Sequence, residues 1–298
     1  MGFINPGELF VQQFGTVQSR DDVIRFVEFL RQESGVTGSV PVDLSRIYRR
    51  FEMPEPKRAS LPDQQGLLVN SERGIVLINE NDPITRQRFT EGHELMELLF
   101  STLPNGKGWA ARRVGGFTQN QKERLCNEGA AELLMPRASF LPRIRNLRVS
   151  FETGRRLSTE YHVSTTAALV QMARIAPGRH AVVLWKLKNK PTEITVKKSR
   201  NQLPLFANRV SKDFPKKLRV EWSFANEKVQ FIPADKSVPE NTTIYEALRQ
   251  NKFTRGTDFL ELGNYEGKFL SENQPFENDG QSFVLSLLHC PGDRGCLT

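Results

Sequence analysis

The chain has 298 residues, a formal net charge of +8 and a hydrophobic content of 38%. This length is enough for two domains with substantial cores. The three cysteines are neither an even set nor spaced as zinc ligands, which argues against a disulfide framework. Because no apolar run approaches the roughly 20 residues of a membrane span, and no secretion signal is evident, we expect a cytoplasmic protein without membrane association.

Three elements are predicted before residue 80. Residues 20–35 show the spacing of an amphipathic helix that ends at Gly35, and residues 41–51 show that of a second one. Residues 66–79 contain two apolar runs around a polar turn, which is typical of a hairpin. The free edge of this hairpin would pair with an extended peptide if it borders a cleft. A plain supporting hairpin fits the pattern equally well.

A longer helix is predicted over residues 84–100. Asp82 is a candidate for capping its first turn, and Pro83 suits the first helical position because proline lacks the N–H that would be unpaired there. His93, Glu94 and Glu97 fall within an arc of roughly 100°, and leucines cover most of the opposite side. Three ionisable groups on a mostly buried helix are costly to desolvate unless a cation or hydrogen bonds compensate them.

The sequence from His93 to Glu97 reads H-E-L-M-E. In the zinc-peptidase pattern H-E-x-x-H, the outer residues bind one ion and the Glu between them acts as base. Here Glu97 replaces the second histidine. A solvated helix edge would produce the same five-residue match, so the motif alone does not decide the function.

Residues 104–118 form a connector that is rich in glycine and basic residues. Long connectors next to an active site often contact substrate. Trp109, Arg112 and Arg113 are therefore candidates for substrate binding.

A further helix is predicted over residues 121–136. Glu123 and Asn127 are one turn apart and share a face. They suit the roles of a third carboxylate ligand and of a polar group that orients the histidine. Glu128 and Glu132 lie on other faces and are alternatives for the ligand, although surface charges would explain them better.

Residues 137–156 are strongly basic, and residues 157–174 read as a helix, a turn at Val163 and a helix capped by Ser164. This arrangement resembles a DNA-binding helix-turn-helix. The second helix offers only a late glutamine for base contacts, which favours a packed helical pair instead. Tyr161 and His162 are candidates for hydrogen bonding to substrate in the cleft, with a structural role as the alternative.

From about residue 178 the pattern changes to short apolar or alternating runs that are typical of strands. One helix is predicted at residues 243–249. The predicted strands are at residues 181–185, 218–222, 229–232 and 283–288. We expect two domains, residues 1–177 and 178–298, of which the second is mainly β.

Several blocks together resemble the ImmA/IrrE-type metallopeptidases, bacterial regulators that are thought to act on repressor proteins. The blocks occur in the family's order, which is more specific than the short motif, and span about residues 40–175. They are P-V-D-L at 41–44, I-V-L-I-N at 75–79, R-Q-R-F-T at 86–90, H-E-L at 93–95 and A-A-E-L-L-M-P at 130–136.

The resemblance implies that His93 is a metal ligand, Glu94 the base and Glu123 the third ligand. Glu97 stands where the family usually has its second histidine. Zn²⁺ is the expected ion. With two carboxylates the ligand set carries two formal negative charges instead of one, so harder ions such as Mn²⁺ are expected to compete better. Some relatives carry a GAF-like sensor module after this domain, so a sensor or protein-docking role is implied for the second one.

The sequence therefore predicts an α+β protein. A mostly helical, zincin-like metallopeptidase domain with a small β-hairpin or sheet precedes a mainly β domain. The expected function is metal-dependent cleavage of a regulatory, repressor-like protein. The alternative is a catalytically degenerate relative that serves as a protein- or DNA-binding scaffold, because the changed motif leaves enzymatic activity open.

Overall fold

The computed structural model describes residues 3–105, 113–191, 215–226, 229, 232–262 and 265–289. The chain divides into two compact units. The first contains residues 1–147 and 154–171, and the second contains residues 148–153 and 172–298. Helices and a small sheet form the first unit and a five-stranded sheet dominates the second, so the predicted α+β class is confirmed.

The first part of the chain is mainly helical. Its helices are α1 Pro6–Phe14, α2 Arg20–Glu33, α3 Leu44–Arg50, α4 Ile84–Ser101, α5 Gln119–Leu134, α6 Arg137–Ile144, α7 Phe151–Tyr161 and α8 Thr165–Ile175. Its strands are β1 Lys57–Ala59, β2 Gly66–Asn70, β3 Ile75–Asn79, β4 Arg113–Val114 and β5 Phe117–Thr118. The three-stranded sheet has the order β1-β3-β2, with β2 antiparallel to β3 at one edge.

The two helices predicted near the N-terminus are both present. Helix α2 begins after a capping box in which Ser19 accepts from the N–H of Asp22 and the Asp22 carboxylate accepts from the N–H of Ser19. Helix α3 is shorter than the predicted segment and begins after Asp43, whose carboxylate accepts from the N–H of Ser45.

The predicted cap of α4 is wrong by one residue, although the predicted range of the helix, residues 84–100, is nearly that observed. The helix begins at Ile84, and Pro83 occupies the cap position with φ −55° and ψ 146°. Asp82 therefore lies one residue too far upstream to cap, and its buried Oδ2 atom has no hydrogen-bond partner. The Gln87 side chain instead donates to the carbonyls of Glu80 and Asp82, at 3.3 and 2.8 Å.

The second unit is built on one antiparallel sheet. Its elements are β6 His180–Lys188, β7 Lys217–Ala225, α9 Thr243–Gln250, β8 Thr254–Leu262, β9 Tyr265–Asn278 and β10 Gln281–His289. The strand order is β7-β6-β10-β9-β8. Helix α9 covers one face, where Trp185, Val220, Ile244, Leu260 and Phe269 belong to one buried apolar cluster.

The sequence predicted this sheet only in part. The runs at residues 181–185, 218–222 and 283–288 lie in β6, β7 and β10, and the helix predicted at residues 243–249 is α9. The predicted strand at 229–232 falls partly outside the described residues. Strands β8 and β9 were not predicted.

In the part of the chain that the structure describes, no helix combines the length and apolar character needed to cross a membrane.

Candidate metal centre

Helices α4 and α5 pack closely because small residues lie where they meet. A Cβ atom on Gly92 would lie 3.3 Å from the Ala130 Cβ, and one on Gly129 would lie 2.5 Å from the Met96 Sδ. Leu95 and Leu99 are fully buried on the apolar side of α4. The close packing allows short polar side chains on α4 and α5 to reach one another.

The start of α5 is fixed by a second capping box. The Thr118 hydroxyl accepts from the N–H of Gln121, and the Gln121 side chain accepts from the N–H of Thr118. This start places Glu123 in the second turn and Asn127 one turn later on the same face.

Glu97 and Glu123 both lie close to His93. The His93 Nε2 atom lies 3.8 Å from Glu97 Oε1 and 3.6 Å from Glu123 Oε2. Bonds of about 2.0–2.2 Å to a tetrahedral ion put ligand atoms roughly 3.3–3.6 Å apart. Nitrogen and carboxylate oxygen are also donors that zinc accepts, and each of the two carboxylates lies near this ligand spacing when it is measured from His93 Nε2.

Asn127 contacts the other nitrogen of the same imidazole. Its Oδ1 atom lies 3.1 Å from His93 Nδ1. Because an amide oxygen only accepts, this bond places the imidazole proton on Nδ1 and leaves the Nε2 lone pair facing the two carboxylates. Asn127 is therefore in the place expected for a residue that orients a metal-binding histidine.

Two side chains of α5 contact Glu97. The Lys122 Nζ atom lies 2.6 Å from Glu97 Oε2, and both side chains are mostly buried. The Cys126 thiol lies 3.5 Å from Glu97 Oε1 and donates to it. One oxygen of Glu97 thus has a protein cation as its partner, whereas the other faces His93.

Cys126 is a geometric rival to Glu123 as third ligand. Ligand atoms of His93, Glu97 and Cys126 all lie within 4.8 Å of one another. Burial, reinforced by the charge of Glu97, raises the pKa of the Cys126 thiol far above its usual range. Since the thiolate is the metal-binding form, this raised pKa adds a cost to ligation by Cys126, and we favour Glu123, whose carboxylate is partly exposed and reaches Nε2.

The Glu94 carboxyl group is buried and lies close to β2. Burial, followed by repulsion from Glu97 and Glu123, raises the pKa of Glu94 to about 7, although the backbone N–H of Leu68 donates to its carboxylate. Its side chain also lies close to β2, since a Cβ on Gly66 would be 3.3 Å from Glu94 Oε1. A carboxyl group that exchanges its proton near neutral pH suits general acid–base chemistry.

The alternative carboxylates on α5 have other partners. Glu128 accepts from Arg20 at 2.6 Å, and Glu132 accepts from the backbone N–H of Arg137 at 2.6 Å. These contacts account for both groups without a metal ion.

The predicted substrate-binding residues are only partly described. Arg113 is exposed at the start of β4, with its guanidinium 3.5 Å from the carbonyl oxygen of Gly116. Trp109 and Arg112 lie outside the described residues. A substrate role for these three residues remains a prediction.

Tyr161 and His162 occupy contrasting positions at the end of α7. Tyr161 is fully buried, and its hydroxyl lies 3.1 Å from the Ser139 hydroxyl. The Arg143 guanidinium lies over its ring, 5.5 Å from the centroid. His162 is exposed with a φ of 52°. The contacts of Tyr161 fit the structural alternative, and substrate binding by either residue stays a prediction.

Sequence reasoning missed Lys122 and Leu68. One signal was available for Lys122, because it is four residues before Cys126 and so shares a helical face with a residue type that is often buried. The bond from Leu68 to Glu94 had no local signal, since it joins a strand to a helix through the backbone.

Residues 53–172 match the family model described as the IrrE N-terminal-like domain, a peptidase family. The resemblance expected from the sequence is therefore confirmed over these residues. A solved structure described as a Mycobacterium tuberculosis transcriptional regulator is similar in fold, with a TM-score of 0.56 at 12% identity, covering 95% of this chain and 79% of that one. No curated protein sequence matches the chain.

Proposed function

We propose that this chain, whose residues 53–172 belong to the IrrE N-terminal-like peptidase family, is a metal-dependent endopeptidase that cleaves a regulatory, repressor-like protein in the cytoplasm. The observation that carries the proposal is the convergence of His93, Glu97 and Glu123 beside a buried Glu94. A divalent ion at this point would compensate carboxylates that otherwise repel one another.

Each residue has a defined task in this proposal. His93, Glu97 and Glu123 would hold the ion, with Zn²⁺ expected and Mn²⁺ as a competitor. When bound, the ion supplies a Lewis acid that polarises the peptide carbonyl and acidifies water. Glu94 takes the proton from the attacking water and passes it to the departing amine. Asn127 holds the His93 imidazole in the required tautomer.

The position of the edge strand β2 supports the proposal that the substrate is a peptide. It ends the sheet order β1-β3-β2, and the N–H of Leu68 donates to the Glu94 carboxylate, so this strand borders the base. Leu67 and Val69 are 42% and 51% exposed. An extended peptide could pair with such an edge and present a bond to Glu94.

The proposal is tested by comparing newly formed protein N-termini in a lysate of cells that make this protein. Zinc-loaded parent protein is added to one sample and zinc-loaded Glu94→Gln protein to a matched control. New N-termini that appear only with the parent, in a DNA-binding repressor, would support the proposal. Identical sets of N-termini with both proteins would overturn it.

A second candidate function is a non-catalytic scaffold that binds a protein or DNA. The contact that favours it is Lys122 Nζ at 2.6 Å from Glu97 Oε2, because it gives one carboxylate a counter-ion without any metal. If this protein, without any metal, binds a repressor and does not cleave it, the scaffold function is identified. DNA binding through α7 and α8 is not favoured, since α8 begins Thr165, Thr166, Ala167, Ala168 and such side chains read few bases.

A further inference from the structure

Lys122 reaches from α5 to the carboxylate that replaces the second histidine of the motif. Its Nζ atom is 2.6 Å from Glu97 Oε2, and the two side chains are 14% and 17% exposed. A charge-assisted hydrogen bond of this length between mostly buried groups holds both partners in place far better than an exposed pair does. Glu97 is consequently anchored through one oxygen and presents the other, Oε1, to His93.

The contact also changes the charge of the candidate metal centre. A neutral His93 with Glu97 and Glu123 carries two formal negative charges, whereas two histidines with one glutamate carry one. The Lys122 ammonium cancels one of the two. The ligand set together with Lys122 therefore has the same net charge as the usual two-histidine set.

The neighbouring cation on α5 does not share this position. Arg124 is exposed, whereas Lys122 is four residues before Cys126, which contacts the same carboxylate of Glu97. Lys122 and Cys126 thus form one face of α5 that is directed at Glu97.

We propose that Lys122 is a positioning residue that acts as a unit with Glu97, supplying the charge that allows a glutamate to stand in the place of a second histidine ligand. This inference rests on the proposed function, because it assumes that the centre binds a divalent ion. It follows that Glu97→His alone does not create an ordinary two-histidine site. That substitution leaves the Lys122 ammonium without its counter-ion beside a dication.

The test is a double-substitution cycle with the full chain. Zinc affinity is measured by competition with a chromogenic chelator for the parent, Glu97→His, Lys122→Met and the combined variant. The combined variant is expected to bind zinc at least roughly tenfold more tightly than Glu97→His. Lys122→Met is expected to change the affinity less in the parent than in the Glu97→His background.

A metal-free readout accompanies the titration. Breaking a mostly buried ion pair from one side leaves one charge uncompensated. Each single substitution is therefore expected to lower the Tm of the metal-free protein, and the combined variant is expected to recover part of the loss caused by Glu97→His. Arg124→Met is the matched control, since it removes one exposed positive charge from the same helix and should act equally in both backgrounds.

The outcomes separate this inference from the proposed function. If Glu97→His binds zinc as tightly as the combined variant while the parent also binds zinc, Lys122 is not coupled to the ligand and the inference is overturned. If none of the four proteins binds zinc, the proposed function is overturned together with the inference. If none of the proteins binds zinc but the effects of Glu97→His and Lys122→Met on the Tm are still non-additive, the Lys122–Glu97 ion pair belongs to a metal-free scaffold.

Discussion

The His93 imidazole is held from behind by Asn127. The Nδ1 atom of His93 and the Oδ1 atom of Asn127 are 3.1 Å apart, although the two residues are on different helices. The bond sets the tautomer, so Nε2 faces Glu97 and Glu123 as an acceptor. In the proposed metal centre, the orientation of the α4 histidine therefore depends on a residue of α5 that is not itself a proposed ligand.

Replacing Asn127 by alanine is expected to weaken zinc binding by roughly 10- to 100-fold, because the imidazole loses the group that fixes its tautomer and orientation. Asn127→Asp keeps an acceptor at the same position and should retain most of the affinity. Competition with a chelator measures both. An affinity in Asn127→Ala equal to that of the parent would show that Asn127 does not orient the ligand.

Glu94→Gln separates chemistry from metal binding. The amide cannot accept the proton of the attacking water, so cleavage should fall by at least about 100-fold. Zinc content should be unchanged, since Glu94 is not among the proposed ligands. The two quantities are measured by substrate cleavage and by elemental analysis of the same preparation. Cleavage at the parental rate would remove Glu94 from the mechanism.

Glu123 and Cys126 can be distinguished as third ligands by a pair of substitutions. Glu123→Ala is expected to lower zinc affinity by several orders of magnitude, because it removes an oxygen that lies 3.6 Å from His93 Nε2. Cys126→Ala should change the affinity little, since burial and the charge of Glu97 raise the pKa of this thiol and disfavour the thiolate. The reverse order of effects would assign the third ligand to Cys126.

In the second unit, His289 should make stability depend on pH. Burial, assisted by the nearby His180 and Arg255, lowers the pKa of His289 to about 4 from 6.5. As the pH falls, the His289 imidazole binds a proton near pH 6.5 in the unfolded chain but only near pH 4 in the folded chain. The contribution of His289 to the free energy of unfolding is therefore complete above pH 6.5 and declines as the pH falls towards 4, by up to roughly 3 kcal/mol.

Urea unfolding of metal-free parent and His289→Leu proteins at pH 7 and pH 4 measures this dependence. Taking the difference between the two proteins cancels the other titrating groups. The free energy of unfolding should fall less in the variant than in the parent over this interval. Equal losses in the two proteins would contradict the prediction.

The local sequence pattern was sufficient to predict the helices and strands that bury one apolar face. Helices α2, α4 and α5 and strands β6, β7 and β10 each carry such a face. Strand β9 was missed because its buried positions include Ser271 and Asn273, which read as loop residues. Their side chains are accommodated by partners from other elements, with Ser271 bonded to Asp258 at 2.8 Å and Asn273 bonded to Ser286 at 2.6 Å.

Spacing along α4 and α5 was likewise sufficient to group His93 with Glu97 and Glu123 with Asn127. It could not show that Lys122 faces Glu97, because that contact depends on how α5 is rotated against α4. The rotation follows from the packing of Gly92 on Ala130 and of Gly129 on Met96, and such packing is not visible in either helix alone. The wrong cap at Asp82 has a local cause, since Pro83 takes the cap conformation itself.

The most direct test of the proposed metal centre is the metal content of the purified protein, determined by elemental analysis after Zn²⁺ or Mn²⁺ has been offered. A metallopeptidase of the proposed kind should hold about one equivalent of bound ion in the parent and lose it in His93→Ala, whereas the control Arg124→Met should keep it. If the parent holds no ion under either condition, the proposed metallopeptidase activity is contradicted and the non-catalytic scaffold is favoured.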